Sequence, residues 1–214
     1  MGIGTSIRHR LGALELPAAN LYRSAFINIA DLAATLASIV TPGSVLEIGC
    51  GDGTFANELL AVFPSASYLG IDIAPTPGRL FRGPRDHVQF RSMATGELLE
   101  EDRLPFDLVV IVDVLHHVPG DQRVELLEHA ARLTAADGLL AIKDWERGRN
   151  LGHGLVYVAD RYVSGDRGVA FPARDELESL VDSALPEFGR VVEARIPPWR
   201  NNVLIVMGRN APRA

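Results

Sequence analysis

The chain has 214 residues, 47% hydrophobic and 22% charged, and carries a formal net charge of −6. This length and apolar content allow one sizeable core, which predicts a single domain over residues 1–214. The negative charge argues against nucleic acid as a partner, because phosphate contacts normally require a basic surface. A single cysteine, Cys50, excludes an internal disulfide framework and favours a reducing, cytoplasmic location.

The amino-terminal part predicts a helical cap over residues 1–42. Apolar side chains recur at helical spacing between residues 20 and 40, and the pattern stops before Pro42 and Gly43. Residues 1–16 lack the uninterrupted apolar core of a signal peptide, and no stretch approaches the length of a transmembrane helix. We therefore expect no stable membrane insertion.

The next feature is a strand followed by alternating glycines and a helix-compatible segment. An aliphatic run that contains Glu47 leads into Gly49, Gly51 and Gly53. Alternate glycines let the backbone pass close beneath a ligand, and the following helix offers free N–H groups. The pattern predicts a cradle for the polar part of a nucleotide-like cofactor.

Two carboxylates indicate which kind of cofactor this is. The glycine spacing differs from the dinucleotide fingerprint, and Glu47 near the strand end would repel a pyrophosphate but suit a cationic amino group. Asp72 ends the next buried-strand pattern, at about the twenty-residue interval where a carboxylate binds ribose hydroxyls. Together they predict an adenosine-type ligand without a diphosphate.

The middle of the chain predicts two further strands. Prolines interrupt residues 74–85, so we expect a short or irregular crossover before a strand at residues 87–90. A strongly apolar strand at residues 108–112 ends at Asp113, on the carboxyl edge where open α/β sheets bind ligands.

Adjacent histidines, His116 and His117, follow that edge. Neighbouring residues point in different directions and no carboxylate lies at a ligand spacing, so the sequence argues against a metal site. Next, Asp121 is the expected N-cap of a helix over residues 121–133. The fifth strand, at residues 138–144, ends at Asp144. This carboxylate is a candidate to act as a base or to orient another catalytic group; the alternative is a salt bridge at the rim with Lys143 or an arginine.

Residues 145–172 depart from a minimal α/β fold. They follow the fifth strand, and some polar side chains recur three or four positions apart, so we interpret the segment as a substrate lid, with a solvated loop as the alternative. Its arginines suit an acidic group and its tyrosines an aromatic one. A closing helix over residues 172–185 and two strands predict an antiparallel hairpin within residues 173–214.

The glycine turn from Val45 to Gly53, then Gly70-Ile71-Asp72, then the run from Phe106 to His117, resemble the successive motifs of class I S-adenosylmethionine-dependent methyltransferases. The resemblance covers roughly residues 43–145. It implies a Rossmann-like, seven-stranded, mostly parallel α/β sheet with an antiparallel last strand, helices on both faces and strand order 3-2-1-4-5-7-6. Residues 43–144 would form the cofactor-binding core.

The resemblance also implies S-adenosylmethionine as cofactor, with S-adenosylhomocysteine as product. The glycine loop would hold the methionine moiety, Asp72 the ribose, and the segment near Met93 the adenine. Relatives often place an acid near this last position, whereas Met93 can only pack on the ring. The expected cofactor contacts are Glu47, Gly49, Cys50, Gly51, Asp72, Ile73, Met93, Ala94 and Asp113.

The acceptor side is predicted less directly. One histidine is expected to fix the turn and the other to face the transferred methyl, so the candidate bases, in order, are His117, His116 and Asp144. In similar methyltransferases the amino-terminal helices line the substrate entrance, where Tyr22 and Arg23 would either contact the acceptor or only edge a packed helix. The remaining acceptor candidates are Tyr157, Arg161 and Tyr162.

The sequence therefore favours a metal-independent methyltransferase acting on a small-molecule hydroxyl by in-line displacement. A nitrogen or carbon acceptor stays open. Two other classes also remain: a non-catalytic or repurposed S-adenosylmethionine-binding protein, and a nicotinamide-dependent oxidoreductase with the same doubly wound sheet.

Overall fold

The computed structural model describes residues 28–146, 173–198 and 202–210. Most of the predicted lid and most of the predicted amino-terminal cap lie outside the described residues. The same holds for the acceptor candidates Tyr22, Arg23, Tyr157, Arg161 and Tyr162.

The described strands form one seven-stranded sheet in the order β3-β2-β1-β4-β5-β7-β6. The strands are β1 Ser44–Ile48, β2 Ser67–Asp72, β3 Val88–Ser92, β4 Phe106–Val112, β5 Thr134–Trp145, β6 Phe188–Arg195 and β7 Asn202–Arg209. Strands β1 to β5 pair in parallel, and β7 runs antiparallel to both β5 and β6. The predicted fold class and strand order are confirmed.

Helices cover both faces of this sheet. The described helices are α1 Ile29–Ala37, α2 Thr54–Val62, α3 Thr95–Leu99, α4 Arg123–Leu133 and α5 Arg174–Ala184. Alternate strand residues enter two separate cores, because successive side chains of a strand point to opposite faces. Leu46 packs with α4 and α5, whereas Val45 packs with α1 and α2. Burial of both faces explains the continuous apolar runs of the central strands.

The structure corrects two predicted boundaries. Helix α4 begins at Arg123 rather than at residue 121, after a 3₁₀ turn at Gly120–Gln122, so Asp121 is not its N-cap. Strand β5 begins at Thr134, directly after α4, because Thr134 already pairs with Phe106. The expected irregular crossover is present: residues 73–87 contain no regular helix. Within the described ranges, no helix has the length and apolar character needed to cross a bilayer.

Candidate active site

A cavity of about 770 Å³ opens at the carboxyl edge of the sheet. Its wall is formed by the turn after β1, the ends of β2 and β3, the turn after β4, the face of α4 and Trp145 at the end of β5. Open α/β sheets bind ligands at this edge. The residues predicted to contact the cofactor all line it: Glu47, Gly49, Cys50, Gly51, Asp72, Ile73, Met93, Ala94 and Asp113.

The glycine turn is held open by main-chain hydrogen bonds. Gly49 and Cys50 donate to the carbonyl of Ile71 at 2.8 and 3.0 Å, which ties the turn to the end of β2. Gly51 has a φ of +52°, in the region that favours glycine, and a Cβ there would meet nothing within 4 Å. By contrast, a Cβ at Gly49 would lie 2.4 Å from Val114. At Gly51 the turn therefore exposes its backbone to the cavity, with no side chain in between.

Asp72 is fixed against this turn. Its Oδ2 accepts a hydrogen bond from the Gly51 N–H at 2.8 Å and its Oδ1 accepts one from the Ala74 N–H at 2.8 Å. The side chain is only partly buried and borders the cavity. Each carboxylate oxygen can accept more than one hydrogen bond. These contacts therefore position Asp72 and leave its oxygens able to accept further hydrogen bonds from a ligand.

Glu47 lies deeper, with 3% of its surface exposed, and borders the cavity at the end of β1. The Tyr68 hydroxyl donates to its Oε2 at 2.5 Å. Burial and the neighbouring Glu47 carboxylate raise the pKa of Tyr68 well above its ordinary value. Tyr68 therefore stays protonated and acts as a permanent donor to Glu47.

Cys50 is a packed side chain in this wall. Burial, followed by the charges of Glu47 and Asp72, raises the pKa of its thiol well above the ordinary range. A thiol that stays protonated is a poor nucleophile, which supports the packing interpretation over a catalytic one.

On the β4 side of the cavity, His116 and Asp144 form a buried pair. His116 Nδ1 lies 2.6 Å from Asp144 Oδ1, and the two side chains are 3% and 0% exposed. Asp144 also accepts from the backbone N–H of His116 at 3.2 Å and of Trp145 at 2.7 Å. The interpretation of Asp144 as a rim salt bridge is therefore wrong: its main partner is a histidine, deep in the sheet edge.

The protonation of this pair follows from its surroundings. Burial by itself would raise the pKa of Asp144, but His116, its hydrogen bond and Lys143 outweigh burial and lower that pKa. An ionised Asp144 only accepts hydrogen bonds, so His116 Nδ1 carries the proton that it donates. In neutral His116 the basic lone pair is then on Nε2.

Both histidines border the cavity, whereas Asp144 does not. The ring centroids of His116 and His117 lie 4.1 Å apart, so the expectation that these neighbours would point apart is wrong. His117 is less buried than His116, and its backbone N–H donates to the Val114 carbonyl at 2.9 Å. The 3₁₀ turn Leu115–His117 thus presents both imidazoles at one side of the cavity.

A second pair, of a buried lysine and a partly exposed aspartate, lies beside the first. Lys143 Nζ is 2.5 Å from Asp113 Oδ1, with the lysine side chain 0% and the aspartate 30% exposed. Asp113 has a φ of +56°, an uncommon value for a residue with a side chain. Ligand atoms of Asp113, His116 and Asp144 lie within 4.8 Å of one another, so the prediction that no carboxylate lies at a ligand spacing from the histidines is wrong. Lys143 already supplies a cation to this group.

Sequence reasoning missed the far end of the cavity. Thr95 Oγ1 lies 2.9 Å from His129 Nδ1, and both residues line the wall together with Glu125 on α4 and Gln122 directly before it. The signal was the spacing of positions 122, 125 and 129, which fall on one face of a helix. The sequence analysis predicted this helix but assigned none of these residues to the site.

Among the described residues, the formally charged side chains of the cavity wall are negative. Carboxylates from β1, the glycine turn, β2, the turn after β4 and α4 line the cavity, and no lysine or arginine of the described ranges does. Such a wall opposes anionic ligands and favours positively charged ones.

Comparisons with known proteins agree with this geometry. Residues 46–140 match the family model described as "Methyltransferase domain". The chain is 33% identical over 177 residues to "Ubiquinone biosynthesis O-methyltransferase" of Xylella fastidiosa (strain 9a5c), covering 73% of this chain and 66% of that protein. It is 28% identical over 190 residues to "Phthiotriol/phenolphthiotriol dimycocerosates methyltransferase" of Mycobacterium leprae (strain TN), covering 83% of this chain and 68% of that protein.

The fold itself recurs among solved structures. The crystal structure of a Burkholderia thailandensis 1,6-didemethyltoxoflavin-N1-methyltransferase, with 1,6-didemethyltoxoflavin and S-adenosylhomocysteine bound, aligns with a TM-score of 0.65 at 17% identity. The alignment covers 99% of this chain and 92% of that one. Several curated relatives are longer than the matched region, and for one of them the chain covers only 36% of the relative's length.

Proposed function

We infer from the methyltransferase-domain match at residues 46–140, together with the methyltransferase relatives, that this chain belongs to the class I S-adenosylmethionine-dependent methyltransferases. We propose that it transfers a methyl group to a hydroxyl oxygen of a small molecule. The observation that carries the proposal is His116, which borders the same cavity as the glycine turn and is paired with the buried Asp144 behind it. One side of that cavity fits the methyl donor, and the other holds a group suited to accept a proton.

The residues near the glycine turn fit S-adenosylmethionine. The open space above Gly51 leaves room for a ligand against the backbone. Glu47 and Asp72 disfavour a pyrophosphate and suit an amino group and ribose hydroxyls, respectively. We assign Met93 and Ala94 to packing on the adenine, and Ile73 and Asp113 to the remaining wall. When bound, this cofactor supplies an electrophilic methyl group on a positively charged sulfur.

We propose His116 as the general base. Asp144 fixes the tautomer in which Nε2 is the basic nitrogen and stabilises the imidazolium that forms when His116 accepts the hydroxyl proton. Asp144 itself, which does not line the cavity, is a positioning residue in this scheme. His117 borders the same cavity and is the alternative base.

The acceptor is proposed as a neutral or cationic hydroxyl compound. The acidic wall disfavours an anionic acceptor, and a hydroxyl is the acceptor class that most requires a base, because it must lose its proton as the new bond forms. The printed name of the Xylella relative is that of an O-methyltransferase, which supports oxygen as the acceptor atom. Tyr22, Arg23, Tyr157, Arg161 and Tyr162 remain proposed acceptor contacts.

The first test is calorimetric titration of the full chain with S-adenosylmethionine, S-adenosylhomocysteine and NADH in the presence of a chelator. The proposal expects binding of the two adenosyl compounds and none of NADH. Transfer of a labelled methyl group to a panel of phenols and catechols, with matched anilines and benzoates, then tests the acceptor class. Binding without transfer to any acceptor would favour a non-catalytic role, and preferred labelling of the anilines would replace oxygen by nitrogen.

A further inference from the structure

Lys143 is the only lysine in the sequence; the other twenty basic residues of the Lys and Arg total of 21 are arginines. Its side chain is fully buried, which is rare for lysine because a buried ammonium loses its hydration. The neighbouring positions on β5, Ala141 and Ile142, are apolar core residues. A single lysine placed in the core at the edge of the active site therefore calls for a specific explanation.

The surroundings of Lys143 supply one. Its ammonium lies 2.5 Å from Asp113. Burial raises the pKa of Asp144, and Lys143 helps His116, whose effect is larger, to lower that pKa below its ordinary value. Asp113, Asp144 and His116 are clustered within 4.8 Å. Two carboxylates this close to one imidazole would strongly favour the protonated imidazole if no other cation were present.

We propose that Lys143 is a positioning residue that holds Asp113 and offsets its charge, so that His116 remains neutral and able to accept a proton near neutral pH. The catalytic meaning rests on the proposed function, but the electrostatic role does not. Among the described residues, the titratable groups near His116 include Asp113 directly after β4, Lys143 and Asp144 from β5, and His117 on its own turn. Glu47 borders the same cavity from β1.

The ion pair also explains the backbone of Asp113. A φ of +56° costs free energy in a residue with a Cβ, and it persists only where contacts compensate for it. The Asp113 N–H donates to the Lys143 carbonyl at 2.9 Å while its carboxylate binds the same lysine's ammonium. Lys143 therefore holds Asp113 at both its main chain and its side chain.

The experiment follows the titration of His116 by NMR in the cofactor-free full chain, with a chelator present throughout. The His116 signal is assigned by its loss in H116Q. Removing the cation in K143M should raise the titration midpoint of His116 by about one pH unit, and removing the anion in D113N should lower it by a similar amount. The double variant D113N/K143M should return the midpoint close to the wild-type value.

This cycle separates charge from structure, because the double variant removes more contacts than either single variant yet is expected to titrate like the wild type. If K143M does not fold, the midpoint in D113N should still lie below that in D113N/K143M. Equal His116 midpoints in the folded variants would overturn the proposal.

The single lysine offers a second readout. Selective ¹⁵N-lysine labelling gives one side-chain Nζ resonance, which should have the chemical shift of an ammonium at pH 7 and should respond when His116 titrates. A neutral amine at pH 7 would overturn the inference. Methyl transfer is measured separately: shifted midpoints in a protein that transfers no methyl group would reject the proposed function and leave this inference standing.

Discussion

The two sides of the cavity are built by different interactions. At the glycine turn, main-chain N–H groups and carbonyls position the ligand-facing groups, as where Asp72 accepts from Gly51 and Ala74. At the ends of β4 and β5, side chains position one another, through His116 with Asp144 and Lys143 with Asp113. The first side is formed mainly by the backbone, whereas the second is a group of paired, mostly buried titratable side chains.

This difference suits the two tasks proposed for the cavity. Holding a cofactor requires close approach and fixed donors and acceptors, which a glycine-rich backbone provides. Accepting a proton requires a group whose protonation is set by its neighbours, which buried charges provide. Variants of the first side should therefore change affinity, and variants of the second side should change turnover.

The largest expected effect is the loss of turnover in a variant of His116, which distinguishes the two sides of the cavity most clearly. H116Q should reduce turnover by about 10²- to 10⁴-fold, because general base catalysis is lost, while affinity for S-adenosylmethionine stays near wild type. H87Q, which changes an exposed histidine outside the cavity, is the matched control. Turnover is measured with saturating cofactor, and affinity by calorimetry.

The partner of His116 allows a check on the same effect. D144N should also reduce turnover, and H116Q/D144N should be little worse than H116Q alone, because both changes disable one unit. If H117Q causes the large loss and H116Q does not, His117 is the base and the buried pair is structural.

The next effect lies on the cofactor side. D72N should weaken S-adenosylmethionine binding by about 1 to 3 kcal/mol through a lost charge-assisted contact, while turnover at saturating cofactor changes little. D86N, which changes an exposed aspartate in the crossover, is the control. Unchanged affinity in D72N would remove Asp72 from the cofactor site.

A smaller effect tests whether the glycine at position 51 is needed for ligand binding or only for the backbone conformation of the turn. G51A should cost about 1 kcal/mol of stability, because its φ is positive, and should also weaken cofactor binding, because its methyl would enter open cavity space. G78A should lose stability through a clash, since its Cβ would lie 2.2 Å from the Phe90 ring. Thermal unfolding and calorimetry compare the two variants; equal affinity in G51A and wild type would contradict a ligand at Gly51.

The smallest effect is the pH-dependent stability of the buried pair. The pKa of Asp144 is lowered on folding, so the unfolded chain binds its proton more readily, and this contribution to stability is complete above the unfolded value near 3.8. It is lost as pH falls through the lower folded value. Urea unfolding between pH 6 and 3 should therefore show the stability gap between wild type and D144N shrinking at the acid end. A gap that stays constant with pH would contradict a lowered pKa.

Local patterns in the sequence predicted the central strands and the residues that line the cavity at the glycine turn. The apolar runs gave β1 and β4, and the spacing of Gly49, Gly51 and Asp72 placed a turn and a carboxylate at one sheet edge. These features depend on residues near one another in the chain and on the regular geometry of parallel strands. The boundary errors, at Asp121 and at the start of β5, lie where neighbouring elements rather than local preference decide the ends.

Lys143 and Asp144 show why the other side could not be predicted fully. On the sequence they are adjacent charges at a strand end, and a pairing between them at the solvent rim was a reasonable expectation. Only the pairing of β4 with β5 brings Lys143 to Asp113 and Asp144 to His116, across about thirty positions of chain. The sequence by itself determined which strands and which glycine turn form, because those follow from local periodicity. The tertiary structure alone decided which buried charges meet, because the partner of a buried charge is fixed by strand pairing and by the cost of leaving it unpaired.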